Sequence, residues 1–329
     1  MAQPLYLVTG AGGYVGGEIV RQLSAQGIRV RGMVRKAEQA EAVRALGAED
    51  VVVADLRDAA SLAPAVSGVK GIYHIAALFR QAGLPESEFH DINAEGVRRL
   101  FDAAIAAGVS RIVHCSTGGV LGHIANPPGT ETSPHNPGDM YQRTKLEGET
   151  IALEYFRSGK IRGAVIRPGM IYGPGDTRNL KMFRMIAHRR FFYVGPGCHV
   201  HFVDVRDLAR AFQLAMEKED INGEIYIIAG ECAAPLREVC KEIARLLNVP
   251  PPWLTVPVKP MQWLGSLCEW ICTPLHISPP LYRRRVDFFT KNRHFDWSKA
   301  ARDLGYRPAR SFEEELADIV RWYQEHHWL

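Results

Sequence analysis

Over the first two-thirds of the chain, apolar residues cluster in short β-branched runs separated by longer stretches of helical periodicity. Residues 5–9, 30–34, 51–54, 71–75, 111–115 and 163–166 read as strands. The intervening segments at 86–107 and 140–157 are long enough to be right-handed crossover helices. Such alternation predicts an α/β fold, a doubly wound parallel sheet of the Rossmann type. After Arg167 the pattern changes to a Pro/Gly-rich stretch, RPGMIYGPGD, then an aromatic and basic helix near 183–192 and a return to the sheet at 223–229. The expected division is a dinucleotide-binding domain over 1–170, rejoined by 205–230, and a smaller, mostly helical substrate domain over 171–204 and 231–329. The last helix opens on a capping box, Ser311 with Glu314 three residues later.

Composition narrows the class. Of 329 residues, 47% are hydrophobic and 23% charged, which is the balance of a globular chain with a sizeable core. Charges occur along the whole chain rather than in tails, and the net value is only +4, so nucleic acid is not an expected partner. Six widely spaced cysteines and an N-terminus without signal-peptide character point to a reduced, cytoplasmic protein. Cys268 and Cys272 lack a Cys or His partner at ligand spacing, so no metal site is expected. No apolar run reaches the roughly 20 residues of a spanning helix, which leaves peripheral membrane contact open.

Immediately after the first strand stands TGAGGYVG, residues 9–16, followed by a helical pattern. Gly10, Gly13 and Gly16 would permit a tight turn, close approach of backbone to a pyrophosphate, and close helix packing; Gly12, Tyr14 and Val15 share that surface. An acidic residue at the end of the second strand would bond an adenosine ribose, whereas a cation there accommodates a 2′-phosphate. The strand ends instead in Arg35 and Lys36, so NADP(H) is favoured over NAD(H). Asp55, with Leu56 beside it, could bond the adenine or equally cap the next helix.

Tyr141 and Lys145 are spaced i, i+4 on a predicted helix and can share one face. Upstream, at the C-terminal end of the fifth strand, lies CSTGG, residues 115–119, where ligands bind in parallel sheets. Hydride transfer at a carbinol carbon needs a matched proton movement at the oxygen, for which Tyr141 is the candidate acid/base. A neighbouring lysine cation should favour its phenolate. A hydroxyl at 116 or 117 would polarise the substrate oxygen.

These motifs, together with HIAA at 74–77, DINAEGV around Asn93, YQRTK at 141–145, HFVDVRDLARA at 201–211 and FDWSKAARDLGYRP at 295–308, resemble the extended short-chain dehydrogenases/reductases over nearly the whole chain. The resemblance implies that Lys145 also bonds the nicotinamide ribose, that Thr117 rather than Ser116 is the third catalytic residue, and that Asn93 supports the lysine through solvent. An asparagine with only a structural role is the other reading of position 93. It further implies cofactor contacts from Ala76, Ala77, Pro168 and Gly169, and dimerisation through the helices bearing Asn93 and Tyr141. By position, Phe79, Arg80, Gly118, Met170, Phe183 and His201 are candidates to line the substrate pocket, His201 being equally a bonded structural histidine.

Two substrate classes stay open. Nucleotide-sugar epimerases and dehydratases retain NAD, whereas reductases and the 3β-hydroxysteroid and sterol-4-carboxylate dehydrogenase branch exchange their cofactor. The cation at Arg35 and the character of the C-terminal third resemble the latter. Within 261–275, Leu264, Leu267, Cys268, Ile271 and Leu275 form one helical stripe widened by Trp263 and Trp270, while Gln262, Ser266, Glu269 and Thr273 fall opposite. Such a stripe faces either the core, or a lid or membrane interface serving a lipophilic substrate.

Overall fold

The computed structural model describes residues 3–81, 83–272 and 283–329. Seven strands, β1 (Leu5–Thr9), β2 (Arg29–Val34), β3 (Asp50–Val53), β4 (Gly71–His74), β5 (Arg111–Cys115), β6 (Arg162–Pro168) and β7 (Glu224–Ile228), form one sheet in the order β7-β6-β5-β4-β1-β2-β3. Every pairing is parallel. The doubly wound Rossmann-like architecture expected from the alternating pattern is therefore present. Each expected strand coincides with an observed one to within two residues.

Alternation along the strands builds the two flanking layers. Val8, Ala164 and Ile166 face one core with the Tyr14–Ala25 and Val205–Glu217 helices, while Leu7 and Val165 face another with the Gly96–Ala106 and Met140–Arg157 helices. A third apolar cluster unites Phe183 and Ile186 with Val239 and Ile243 from the Leu236–Leu246 helix, and with Leu316 and Ile319 from the Phe312–Glu325 helix. The last of these helices starts as expected: the Ser311 hydroxyl accepts from Glu314 N and the Glu314 carboxylate from Ser311 N.

Two helices differ from expectation. The 86–107 segment is broken by a π turn at Asp91–Glu95 between the Glu86–His90 and Gly96–Ala106 helices. Asn93 is buried in that turn, where its Oδ1 accepts from Leu78 N at 2.7 Å and its Nδ2 donates to Leu78 O and Thr144 Oγ1. A Cβ at Gly148 of the Met140–Arg157 helix would collide with the Asn93 carbonyl, so the two helices approach closely just where the turn bulges. The helix near Phe183 runs only over Leu180–Ala187, and Arg189 follows at a φ of 56°, which a continuing helix does not tolerate.

Candidate active site

The cavity of about 1140 Å³ opens over the C-terminal ends of β1, β2, β4, β5 and β6. Its floor at one end is the turn between β1 and the Tyr14–Ala25 helix. Gly10 adopts a φ of +67° and its carbonyl accepts from Gly13 N at 2.9 Å, closing the turn. A Cβ at Gly16 would collide with the Gly10 carbonyl, so only glycine lets the helix sit this close to the strand end. Gly13 caps that helix with no side-chain hydrogen bond, leaving its first N–H groups for an anion. Uncapped donors beside a cradle that a side chain would fill suit a dinucleotide pyrophosphate.

Gly12, Tyr14 and Val15 line the same end, with Arg35 and Lys36 at the tip of β2, Asp55 and Leu56 after β3, and Ala76 and Ala77 after β4. Lys36 pairs with Glu38 at 3.3 Å; Glu38 and Gln39 also line the cavity, although the motif reading passed over them. Asp55 is bidentate with Arg57, which holds its carboxyl below the ordinary carboxylate range. Thr9 ties the floor together: its hydroxyl oxygen accepts from Ile75 N and Ala76 N, so its proton is directed to His74 Nδ1 at 2.8 Å. His74 pairs in register with His114 on β5, and the two buried rings lie 5.1 Å apart. Burial keeps both imidazoles neutral, lowering His74 to about 3.

At the middle of the cavity the Met140–Arg157 helix brings Tyr141 opposite Ser116 and Thr117 at the end of β5. Asp139 caps this helix, its carboxylate accepting from Gln142 N at 2.8 Å and from Arg80 Nε at 2.8 Å. Arg80 stands 5.4 Å from the Tyr141 ring centroid and Phe79 meets the same ring edge-on at 5.1 Å. Burial pushes the Tyr141 phenol up, and the Arg80 and Arg178 cations oppose that rise. Lys145 lies one turn deeper, buried, with Nζ donating to the Cys115 carbonyl at 2.5 Å, and burial lowers its pKa. The Thr117 oxygen accepts from Gly119 N at 3.0 Å, which leaves its proton free to donate, whereas the Ser116 hydroxyl is buried without a protein partner.

Of the expected substrate-side residues, Phe79, Arg80, Met170 and Thr117 line the cavity, as do Pro168 and Gly169. Three do not. Phe183 is buried in the third apolar cluster because its helix turns that face inward. His201 is a structural histidine, Nε2 donating to Gly230 O and Nδ1 accepting from Phe295 N. Gly118 packs under Phe295 and the Pro168 carbonyl. Asn93 also stays outside, its amide fully engaged by Leu78 and Thr144. The far end is completed by Arg178, Phe288, Lys291, Arg293 and Phe295. The sequence motifs around these residues were visible, but nothing local indicated that a segment more than a hundred residues downstream folds back over the sheet.

The model of the NAD dependent epimerase/dehydratase family matches residues 6–229. Sterol demethylase protein B of Methylococcus capsulatus is 33% identical across 97% of this chain and 98% of its own. A 3-beta-hydroxysteroid dehydrogenase of Mycolicibacterium neoaurum is 28% identical across 97% of this chain and 91% of its own. The crystal structure of DesIV, a dTDP-glucose 4,6-dehydratase from Streptomyces venezuelae with NAD and TYD bound, superposes with a TM-score of 0.78 at 27% identity, covering 98% of both chains. With the glycine turn and the Tyr141 helix converging on one cavity, these matches place the chain in the NAD dependent epimerase/dehydratase family, the extended short-chain dehydrogenases/reductases, as an NAD(P)-dependent oxidoreductase.

Proposed function

We propose that the protein interconverts an alcohol and a ketone on an apolar, sterol-like or long-chain substrate, with NADP(H) preferred over NAD(H). The observation that carries this reading is the meeting of Tyr141, Thr117 and the glycine turn in one cavity whose substrate side has Phe79, Met170, Phe288 and Phe295 beside the cations Arg178, Lys291 and Arg293. A nicotinamide bound there would supply or accept the hydride. Tyr141 exchanges the proton with the substrate oxygen, and Thr117 donates a hydrogen bond to that oxygen while Gly119 N holds its own oxygen in place. Arg80 fixes the Tyr141 ring through Asp139, which caps the same helix. Lys145, held on the Cys115 carbonyl, provides a buried cation at the end of β5. Arg35 and Lys36 support the cofactor preference, because both edge the adenosine end directly after β2, with Lys36 paired to Glu38.

The names of the sterol-related relatives agree with an apolar substrate. A nucleotide-sugar reaction with tightly bound NAD is the competing reading, and the likeness to the dTDP-glucose 4,6-dehydratase favours it. We further take the unit to be a homodimer, with the small substrate-side region at 171–204 and 231–329 set against the sheet.

Mass spectrometry of nucleotide released on denaturation separates the readings. An empty site that fills with NADPH on titration, followed by turnover of a 3-hydroxy sterol or long-chain ketone, supports the proposal. Stoichiometric NAD together with turnover of a UDP- or dTDP-sugar would replace it.

A further inference from the structure

We infer that the outer face of the Val258–Cys272 helix is a membrane-docking surface that seats the protein on an anionic lipid bilayer beside the mouth of its cavity. The inference rests on the apolar-substrate reading above, and adds the source from which such a substrate arrives.

The helix is turned opposite to an ordinary amphipathic helix of a globular fold. Trp263, Leu264, Trp270 and Ile271 are exposed, with Leu267 half-buried between them, at i, i+1, i+4, i+7 and i+8 spacing. Gly265 on the other side is buried, and Gln262, Ser266 and Cys268 are partly covered. Leu264 and Ile271 of the apolar stripe seen in the sequence, with the two tryptophans that widen it, thus face away from the protein, while Leu267 and Cys268 are partly covered; Thr273 and Leu275 lie outside the described residues. Trp263 and Trp270 keep 71% and 75% of their surface accessible, and Trp253, in the segment leading to the helix, keeps 84%. Scattered apolar residues on a surface need no explanation, but tryptophans repeated along one face do.

Indole rings with one apolar body and one polar N–H suit the boundary between headgroups and acyl chains, where a helix lies in the plane rather than across it. No helix among the described residues is long and apolar enough to cross a membrane. Charge selects the lipid. The two packed helices, 258–272 and 283–290, carry four cations, Lys259 and the run Arg283, Arg284 and Arg285, against two acids, Glu269 and Asp287. An apolar face on a helix pair whose sequence carries surplus positive charge complements an anionic bilayer better than it does a second, equally cationic copy of itself.

The position also matters. The Arg283–Thr290 helix packs on the Val258–Cys272 helix, and its Phe288 lines the cavity. Phe288 thus links the helix pair that carries this face to the cavity that a lipophilic molecule would enter.

The test is co-sedimentation of the full chain with phosphatidylglycerol vesicles and with phosphatidylcholine vesicles, alongside tryptophan emission and quenching by brominated acyl chains. Binding is read without turnover, so it fails independently of the oxidoreductase reading. Expected are sedimentation and a blue shift with phosphatidylglycerol, weakened by salt. The W263Q/W270Q pair should lower partitioning roughly tenfold or more, with NADPH binding and circular dichroism unchanged. No sedimentation at millimolar phosphatidylglycerol, or equal binding by W263Q/W270Q, would overturn the inference. So would a concentration-dependent dimer in ultracentrifugation that the same pair abolishes, which would assign the face to a second copy.

Discussion

Removing Glu149 is expected to destabilise the fold by several kilocalories per mole. This carboxylate lies on the Met140–Arg157 helix, two turns beyond Tyr141, and holds Arg167 on β6 through two contacts, Arg167 Nε at 3.0 Å and the adjacent guanidinium nitrogen at 2.5 Å. Both side chains are 1% exposed. Glu149→Ala leaves a buried guanidinium whose remaining partners are the Glu131 carbonyl and the His135 ring, neither of them charged to match it. Breaking one half of a buried pair costs about 3–5 kcal/mol. With an unfolding entropy of about 2.1 cal/mol/K per residue, that corresponds to a fall in Tm of about 4–7 °C for a chain of this length. Urea denaturation at pH 7 followed by circular dichroism reads the loss directly. The exposed Lys241–Glu238 pair provides the control, and its Glu238→Ala variant should barely move the midpoint. If Glu149→Ala cost no more than that control, the pair would not be buried in solution and its coupling of the Tyr141 helix to β6 would be wrong. Replacing both partners with methionine should recover most of the stability, since the cost lies in the orphaned charge.

Three further outcomes follow from the site. Arg35→Asp should lower the ratio of kcat/KM with NADPH to that with NADH by roughly tenfold or more, an unchanged ratio removing Arg35 from cofactor discrimination. Tyr141→Phe should reduce turnover by about a hundredfold or more while NADPH binding, followed by fluorescence titration, survives; retention of most turnover would rule out Tyr141 as acid/base. Burial, with the nearby charges of Asp204 and Asp207, raises the Glu315 carboxyl to about 8, above its ordinary 4.5. The folded state therefore holds the proton more tightly, its contribution is complete below pH 4.5, and it is lost as pH climbs through 8. The Glu315 share of stability should thus shrink between pH 5 and 8, so the midpoint of Glu315→Gln should gain on that of the wild type across this interval; parallel curves would contradict that protonation state.

Much of the sheet was legible in the sequence because parallel strands buried on both faces leave continuous β-branched runs, as at Leu5–Thr9 and Arg111–Cys115. The cofactor turn was equally plain, since Gly10 and Gly16 answer local backbone constraints. Long-range closure was not. That Arg178 and Phe288 complete the cavity depends on segments folding back over the sheet, and periodicity carries no such information. Phe183 and His201 show the same limit from the other side: being near a site in the family pattern does not say whether a side chain turns toward it or into the core. The tryptophan helix was the clearest case, because a helical wheel defines a stripe but not what covers it. The π turn at Asn93 escaped notice since the cause, the close passage of the helix at Gly148, lies more than fifty residues away in sequence.

The neutral pair His74 and His114 makes the molecule acid-labile from its centre outward. An unfolded chain takes up protons on both imidazoles near pH 6.5, whereas the folded sheet refuses the first until about pH 3 and the second until well below 6.5. Stability they contribute above pH 6.5 therefore drains away as acidity increases. The strands that carry them, β4 and β5, are also those that end at Ala76 and Thr117, so cofactor site and fold should be lost in one cooperative step: a chain moved into an acidic compartment would not linger as an intact but inactive enzyme.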